Sequence, residues 1–458
     1  MRKDLLFLCV LFALISALRI ETVRAAPADI WVPDDYLSVQ AAINAAITGD
    51  IIHVRGGPYL EHVILNKSLS LIGEGGTATI DGNGTGTVIE VRAGNILITN
   101  LTLQNAHYGI WIPSRSNCIV ENNNIRNMGD YGFFIWNSSR LNILGNIITN
   151  SSFSIELDDC LDCTLRGNTI TNGYLGILYR SSNQTLIEGN HIADMKGGPT
   201  STGIELILYS ANNTIIWNTV TNSNYGIWLT NAEDNIIYHN NFINNTNQFM
   251  LFPDTPYNEW DIGWPDGGNY WSNHAKTDDF SGQYQNQPGS DAICDAPYIL
   301  GTDNIDKLPL SGPVNAFSVP LGFITEHVLT ISNSTISAFY VNITEKTLRF
   351  NATGAIGVGF CRVDIPNTLV SAIWQGNYTV LVDDKQPLSE RNWTQGSASY
   401  IYLTYVHSEH EITIIPEPST LIILPALIIA TLLHTVARKR KRPQQNTQAL
   451  PGDTTSYP

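Results

Sequence analysis

Asn142-Ile143-Leu144-Gly145-Asn146-Ile147-Ile148-Thr149-Asn150 returns 22 residues later as Thr164-Leu165-Arg166-Gly167-Asn168-Thr169-Ile170-Thr171-Asn172, and after 22 more as Leu186-Ile187-Glu188-Gly189-Asn190-His191-Ile192-Ala193-Asp194. Outward from this stretch the same columns run from Ile98 to Gln248 at a period of 22 or 23, with one five- or six-residue insertion at Met195 to Thr202. One apolar column is Leu103, Ile125, Ile148, Ile170, Ile192, Val220 and Phe242; a second, five positions upstream, is Ile98, Val120, Ile143, Leu165, Ile187, Ile215 and Ile237. Two polar columns flank the first: Asn123, Asn146, Asn168, Asn190, Asn218 and Asn240 before it, and Asn105, Asn127, Asn150, Asn172, Asp194, Asn222 and Asn244 after it. A glycine column follows in Gly109, Gly132, Gly176, Gly203 and Gly226, interrupted by Ser154. No single copy can bury its apolar face, so the copies must stack, one coil per repeat. The pattern predicts an all-β fold, a right-handed parallel β-helix.

Each column has a physical reason. Successive coils pair as parallel strands about 4.8 Å apart, which places Ile on Ile in the interior. Asn at the bends tolerates left-handed backbone and can hydrogen-bond the neighbouring coils. The glycines are expected to mark a tighter bend with positive φ. A leucine-rich repeat has a similar period but needs a Leu-dominated consensus, a single Asn and room for a helix, none of which fits two Asn columns and many β-branched residues.

The ends of the chain indicate where it acts. Arg2 and Lys3 precede an apolar run from Leu5 to Leu18 and small residues at Ala25, Ala26 and Ala28, the pattern of a secretory signal over residues 1–26. Residues 420–437 are long and apolar enough to span a bilayer, and the basic block Arg438 to Arg442 opens a tail, 438–458, that belongs on the cytoplasmic side. Everything between is then extracellular, anchored at the cell surface. Setting aside the nine basic and three acidic residues of those ends leaves 16 Lys and Arg against 38 Asp and Glu, a charge of −22. So acidic a surface excludes nucleic acid as a partner and suits glycans or polyvalent cations. Thirteen Asn-x-Ser/Thr sequons, Asn66, Asn137, Asn212, Asn342, Asn377 and Asn392 among them, fit a glycosylated surface protein.

Five cysteines remain outside the signal, too odd a number for a complete disulfide framework. Cys118 and Cys163 share a column with one coil between them, about 9.6 Å apart and out of disulfide range. Cys160 and Cys163 form a CxxC whose plain reading is two buried small side chains. The remaining organisation is an N-terminal cap on the solenoid, including an amphipathic helix over Ser38 to Ala46, within a β-helix spanning 29–250. A capping segment rich in Asp and aromatic residues covers 251–312, and 316–415 reads as a β-sandwich with strands near Ala338 to Val341, Thr347 to Phe350 and Tyr378 to Val382.

The opening Pro33 to Asp35, Gly57-Pro58-Tyr59-Leu60-Glu61, Asn66-Lys67-Ser68-Leu69-Ser70-Leu71-Ile72-Gly73 and Ile80-Asp81-Gly82, followed by the Asn/Gly coils, resemble the NosD-type β-helix family. Gly267-Gly268-Asn269-Tyr270-Trp271-Ser272, Gly289 to Tyr298, Leu308-Pro309-Leu310, Gly359-Phe360-Cys361-Arg362-Val363 and Pro416-Glu417-Pro418 are similar to the closing parts of its archaeal surface members, which carry a C-terminal membrane anchor. The resemblance implies a β-helix, and either copper processing or carbohydrate binding or hydrolysis. Copper needs clustered His, Met or Cys. Met128, Met195 and Met250 are scattered, and His407 and His410, three apart, would point to opposite faces of a strand, so the residues themselves do not support copper.

Sugar chemistry has better candidates. Trp111, Phe134, Glu156, Leu178, Glu205 and Trp228 form an outward column after the glycines. Glu156 and Glu205, two coils apart at about 9.6 Å, fall near the upper spacing at which paired acids cleave a glycosidic bond with inversion. Asp158 shares that face with Arg180 one coil on. The candidate catalytic residues are therefore Glu156, Glu205 and Asp158, with Trp111, Phe134, Trp228 and Arg180 as substrate-binding residues on a polysaccharide or cell-surface glycan. The plain alternative is a solvated outer face with an Asp158–Arg180 pair. Neither the carboxylate set of a polygalacturonase nor the Arg and Ca²⁺ cluster of a pectate lyase is present. Asp278, Asp279, Asp291 and Asp295, with Asp303 and Asp306 nearby, crowd the Gly-rich capping segment and are candidate Ca²⁺ ligands or, equally, turn formers.

Overall fold

The computed structural model describes residues 27–252 and 255–417. The expected signal, membrane span and basic tail lie outside them, and among the described residues no helix is long and apolar enough to cross a membrane. The columns become parallel ladders. Val120 pairs with Ile98 on one side and Ile143 on the other, and Ile143 with Leu165. Ile125 pairs with Leu103 and Ile148, Ile148 with Ile170, and Ile170 with Ile192. All of these side chains have no solvent exposure, so the interior is a stack of aligned aliphatics. A ten-stranded parallel sheet runs from Asp29–Val32 to Ile236–Tyr238, and a second sheet of sixteen strands forms the rest of the wall, giving a parallel β-helix of right-handed type.

The two Asn columns do different work. In the buried one, Asn146 accepts from the backbone N–H of Asn123 at 3.0 Å, Asn168 from Asn146 at 2.9 Å, Asn190 from Asn168 at 2.9 Å and Asn218 from Asn190 at 2.9 Å. Each Nδ2 also donates to a carbonyl of the preceding coil, as Asn168 does to Ile143 at 2.9 Å. Removing one rung leaves backbone groups of two coils unpaired, a cost of about 1–3 kcal/mol each. In the other column Asn105, Asn127, Asn150, Asn172, Asp194, Asn222 and Asn244 are the left-handed residues, with φ from 53° to 60°. The glycine column is not left-handed, against expectation. A Cβ on Gly132 would stand 2.5 Å from the carbonyl oxygen of Ser154, and one on Gly176 2.4 Å from that of Gly203, so these glycines are there for room between coils.

The insertion resolves into six residues. Buried ladder Asn residues are 22 apart in the coils on either side, Asn168 to Asn190 and Asn218 to Asn240, and 28 apart from Asn190 to Asn218. Five of the six precede Thr202, which pairs with Leu175, and the sixth falls near Leu208 and Tyr209, both left-handed. The N-terminal end is closed by helix α1 (Val39–Ala45), capped by Ser38, whose hydroxyl accepts from Ala41 N–H, and by the Glu61 carboxylate, which takes the N–H groups of Val39 and Gln40 at 2.9 and 2.8 Å. At the other end pairing continues past the repeats through Tyr270–Trp271 and a bridge from Ile236 to Glu259. There the buried ladder runs from Asn240 to Asn269 and ends on Asp306, while a second ladder, Asn213, Asn235 and Asn258, ends on Asn304.

Among the described residues, a second unit comprises 317–329 and 334–417. A five-stranded and a four-stranded sheet share one core that includes Val328, Val363, Ile401 and Leu403 with Leu348, Phe350, Ile412 and Ile414, and helix α2 (Asn367–Trp374) adds Leu369 and Ile373 to it. This is a β-sandwich built from alternating strands such as Thr335–Asn342, Thr347–Thr353 and Tyr378–Val382.

Candidate glycan-binding face

The outward column aligns rung by rung: Glu90, Trp111, Phe134, Glu156, Leu178, Glu205, Trp228 and Met250 are successive Cα partners. Three residues upstream runs a second column, in which Tyr108 stacks on Tyr131 at 5.2 Å and Tyr131 on Phe153 at 4.9 Å. Tyr131 leans on Phe134 at 5.0 Å, and Tyr225 meets Trp228 edge-on at 4.9 Å. Two aromatic groups therefore bracket the carboxylates along the solenoid axis. Trp111, Phe134, Trp228 and Glu205 are half-buried, and Glu156 is 3% exposed.

That burial overturns the solvated-face reading for Glu156, and the expected ion pair is also different. Asp158 and Arg180 are Cα partners, yet Arg180 Nε lies 3.1 Å from Oε1 of Glu156. The contact is an ion pair without an aligned N–H bond, and Glu156 Oε2 is buried with no hydrogen-bond partner. The reason is energetic. A carboxylate withdrawn from water gains more from a cation than half-exposed Asp158 does.

Burial pushes the Glu156 carboxyl up, against the Arg180 cation and with help from Asp158. Glu205 is pushed up to about 7, again by burial first, with Arg180 opposing and Glu156 assisting. The Tyr131 hydroxyl is driven up to about 12 by burial and the nearby Glu156. A guanidinium thus sits in the coil between two carboxyls that it serves jointly, and one of these carries a proton for part of the time near neutral pH. Such a group can donate or accept a proton or a sugar hydroxyl.

In the Asp-rich capping segment the backbone occupies several of the carboxylates. Both oxygens of Asp278 accept backbone N–H groups, from Asp291 at 3.0 Å and Ala292 at 2.8 Å, and both of Asp295 accept from Asp279 and Phe280 at 3.1 Å. Asp291 has no exposure and takes the Trp264 indole N–H at 2.8 Å and the Ile293 N–H at 3.2 Å. Asp279 is exposed and contributes its backbone carbonyl to Gly289. These carboxylates staple turns, and among the described residues no group of three or more His, Cys, Asp or Glu is placed to hold a metal ion.

Copper would need accessible sulfur or imidazole ligands. Met128 and Met195 are sealed in the solenoid core, and the five cysteines are buried and form no disulfide among the described residues. Burial pushes the Cys160 thiol up to about 12 and Cys163 to about 11, away from the thiolate that binds metal. His407 and His410 do not point apart as expected on one strand. They flank a turn, both pack on Tyr405 with centroids at 6.1 and 5.6 Å, and are engaged by Ser334 and Asp383 at 2.7 Å each. The described residues do not fit a copper centre.

What sequence reading missed is an open pocket of about 710 Å³ at the next corner. Phe153, Tyr174, Asn150, Asn172, Asp194 and the inserted Lys196 and Gly197 line it. Its signal in the sequence was the insertion itself.

Among known proteins, 94 residues of the chain are 30% identical to a cell surface glycoprotein of Methanothermus fervidus, a match covering 20% of this chain and 16% of that protein. An alginate lyase from Paenibacillus sp. FPU-7 is 12% identical at a TM-score of 0.34, over 51% of this chain and 98% of that one. A tailspike mutant of the E. coli bacteriophage HK620, solved with a pentasaccharide, is 12% identical at a TM-score of 0.32, over 86% and 81%. Residues 43–276, just over half the chain and nearly all of its coils, match the family described as periplasmic copper-binding protein (NosD), and the chain is a member of that family.

Proposed function

We propose that this protein is an extracellular surface β-helix, anchored through residues 420–437, that holds a glycan chain along the outward column. The observation that carries the reading is the pairing of two aromatic groups, Tyr131 with Phe134 and Tyr225 with Trp228, on either side of the Glu156–Arg180–Glu205 cluster. Aromatic faces supply stacking for sugar rings, and the charged groups supply hydroxyl contacts on a rigid scaffold. The partial likeness to the M. fervidus surface glycoprotein supports the location. A catalytic variant of the same reading is favoured by Glu205 alone, whose carboxyl at about 7 is suited to proton donation, with Glu156 as its partner.

The test is a panel of polysaccharides presented to the full chain, scored for retention, for new reducing ends and for unsaturated products. Trp228→Ala should weaken retention at least tenfold, whereas Glu156→Gln should weaken it little. If turnover occurs, Glu205→Gln abolishes it and leaves retention intact. Retention unchanged in Trp228→Ala, together with no loss of turnover in Glu205→Gln, would remove this face from the function.

A further inference from the structure

The sequon Asn150-Ser151-Ser152 stands on the rim of the 710 Å³ pocket, and Asn150 itself lines it. Asn150 is exposed, with φ 53°, and its Nδ2 gives one hydrogen to Asn127 Oδ1 at 3.3 Å, which leaves the other free. None of the thirteen sequon asparagines belongs to the buried ladders, and none is buried. The sequons at Asn137, Asn212 and Asn244 also occupy exposed left-handed corners, but they do not line this pocket.

The pocket is built rather than incidental. Phe153 and Tyr174 meet edge-on at 5.9 Å and present aromatic surface. The inserted loop forming the opposite wall is pinned at several points: Lys196 and Gly197 N–H to Gly173 O at 3.1 Å each, Asn224 Nδ2 to Gly198 O at 2.6 Å, and the Tyr174 and Thr200 hydroxyls at 2.5 Å. A volume of about 710 Å³ lies within the range of roughly 300–1,000 Å³ that encloses a small ligand. Apolar rings with amides and hydroxyls around them match the two faces of a pyranose.

We infer that Asn150 carries an N-linked glycan whose first sugars fold back into this pocket, so that the insertion serves as a cradle for the protein's own modification. In the transfer, Asn150 Nδ2 bonds to C1 of the first sugar and C1 parts from the phosphate oxygen of a lipid-linked oligosaccharide donor. One amide proton goes to base and the lipid phosphate leaves as the anion. The amide hydrogen that remains keeps the bond to Asn127. The inference is independent of glycan binding along the outward column.

Two measurements on the full chain purified from its native host test it. Peptide mass spectrometry should find a glycan mass on the Asn150 peptide. Hydrogen exchange at 172–176 and 194–198 should become faster in Asn150→Gln and equally in Ser152→Ala, two variants that remove the sequon by different atoms, and stay unchanged in the control Asn137→Gln. An unmodified Asn150 peptide overturns the inference. So does a modified one whose loss leaves exchange at both segments as in the wild type, since the glycan would then extend into solvent.

Discussion

Replacing Arg180 by Met keeps the apolar stem and removes the cation from a carboxylate whose side chain is 4% exposed. Breaking a fully buried pair from one side costs about 3–5 kcal/mol because a buried charge is left uncompensated. Arg180 is itself 36% exposed, so part of its field is already screened and we expect about 2–3 kcal/mol. At about 2–4 °C per kcal/mol for a unit of this size, the melting midpoint falls by about 4–12 °C. Glu156→Gln, by contrast, removes the buried charge and leaves Arg180 free to reach water, at a cost of about 1 kcal/mol or less. The double variant should resemble Glu156→Gln alone. The pH arm has a definite sign. A carboxyl raised in the fold contributes stability that is fully present below its unfolded value and is lost as pH rises through the folded one. Removing Arg180 raises Glu156 further, so the deficit should be small at pH 4 and full at pH 8. Thermal and urea melts of the four proteins at both pH values measure this. A deficit in Arg180→Met that is equal at pH 4 and pH 8, or equal to that of Glu156→Gln, would refute the assignment of Arg180 to Glu156.

Two further outcomes follow from the distal end of the solenoid. Asp306 is fully buried where the Asn269 N–H and the Trp271 indole N–H meet its Oδ2 at 2.8 Å, and burial pushes its carboxyl up to about 8. Its stabilising contribution is therefore lost between about pH 4 and 8, by up to about 4 kcal/mol at pH 7, and Asp306→Asn should flatten that part of the stability–pH curve; a curve parallel to wild type would contradict it. Because Asp278, Asp291 and Asp295 already accept backbone and indole N–H groups, excess Ca²⁺ or a chelator should leave the melting midpoint unchanged, and a shift abolished by Asp291→Ala with Asp295→Ala would show instead that Ca²⁺ binds there.

The solenoid was legible because its inward columns are set by one rule, stacking like on like, which a single chain writes out again in every coil. Ile125 to Ile192 and Asn146 to Asn190 could be assigned without a structure for that reason. The glycine column was located correctly but for the wrong cause, since a missing Cβ serves both left-handed backbone and close approach, and only the 2.5 Å to the next coil's carbonyl separates them. The partner of Arg180 was misread because Cα register places it opposite Asp158, while its long stem lets the head group choose, and burial makes Glu156 the stronger site. The pocket at Asn150 was beyond reach for a different reason. An insertion breaks the period, and with it the only rule that told where side chains point.

The same asymmetry bears on what family membership can say. A match along the coils constrains first the columns that face inward, where Ile143 must fit Leu165 and Asn146 must bond Asn168, since a wrong side chain there disrupts both neighbouring coils. Outward positions carry no such obligation and are where chemistry can differ between members that share a fold. In this chain the outward face holds Glu156, Arg180, Glu205 and their aromatic flanks, while the sulfur ligands that copper would need, Cys160, Cys163, Met128 and Met195, sit on inward positions among aliphatic side chains. Burying a carboxylate on the face that is free to vary, at the cost of leaving one oxygen without a partner, is not something the stacking rule asks for. That expense is the physical reason to look for function on this column before any other surface of the solenoid.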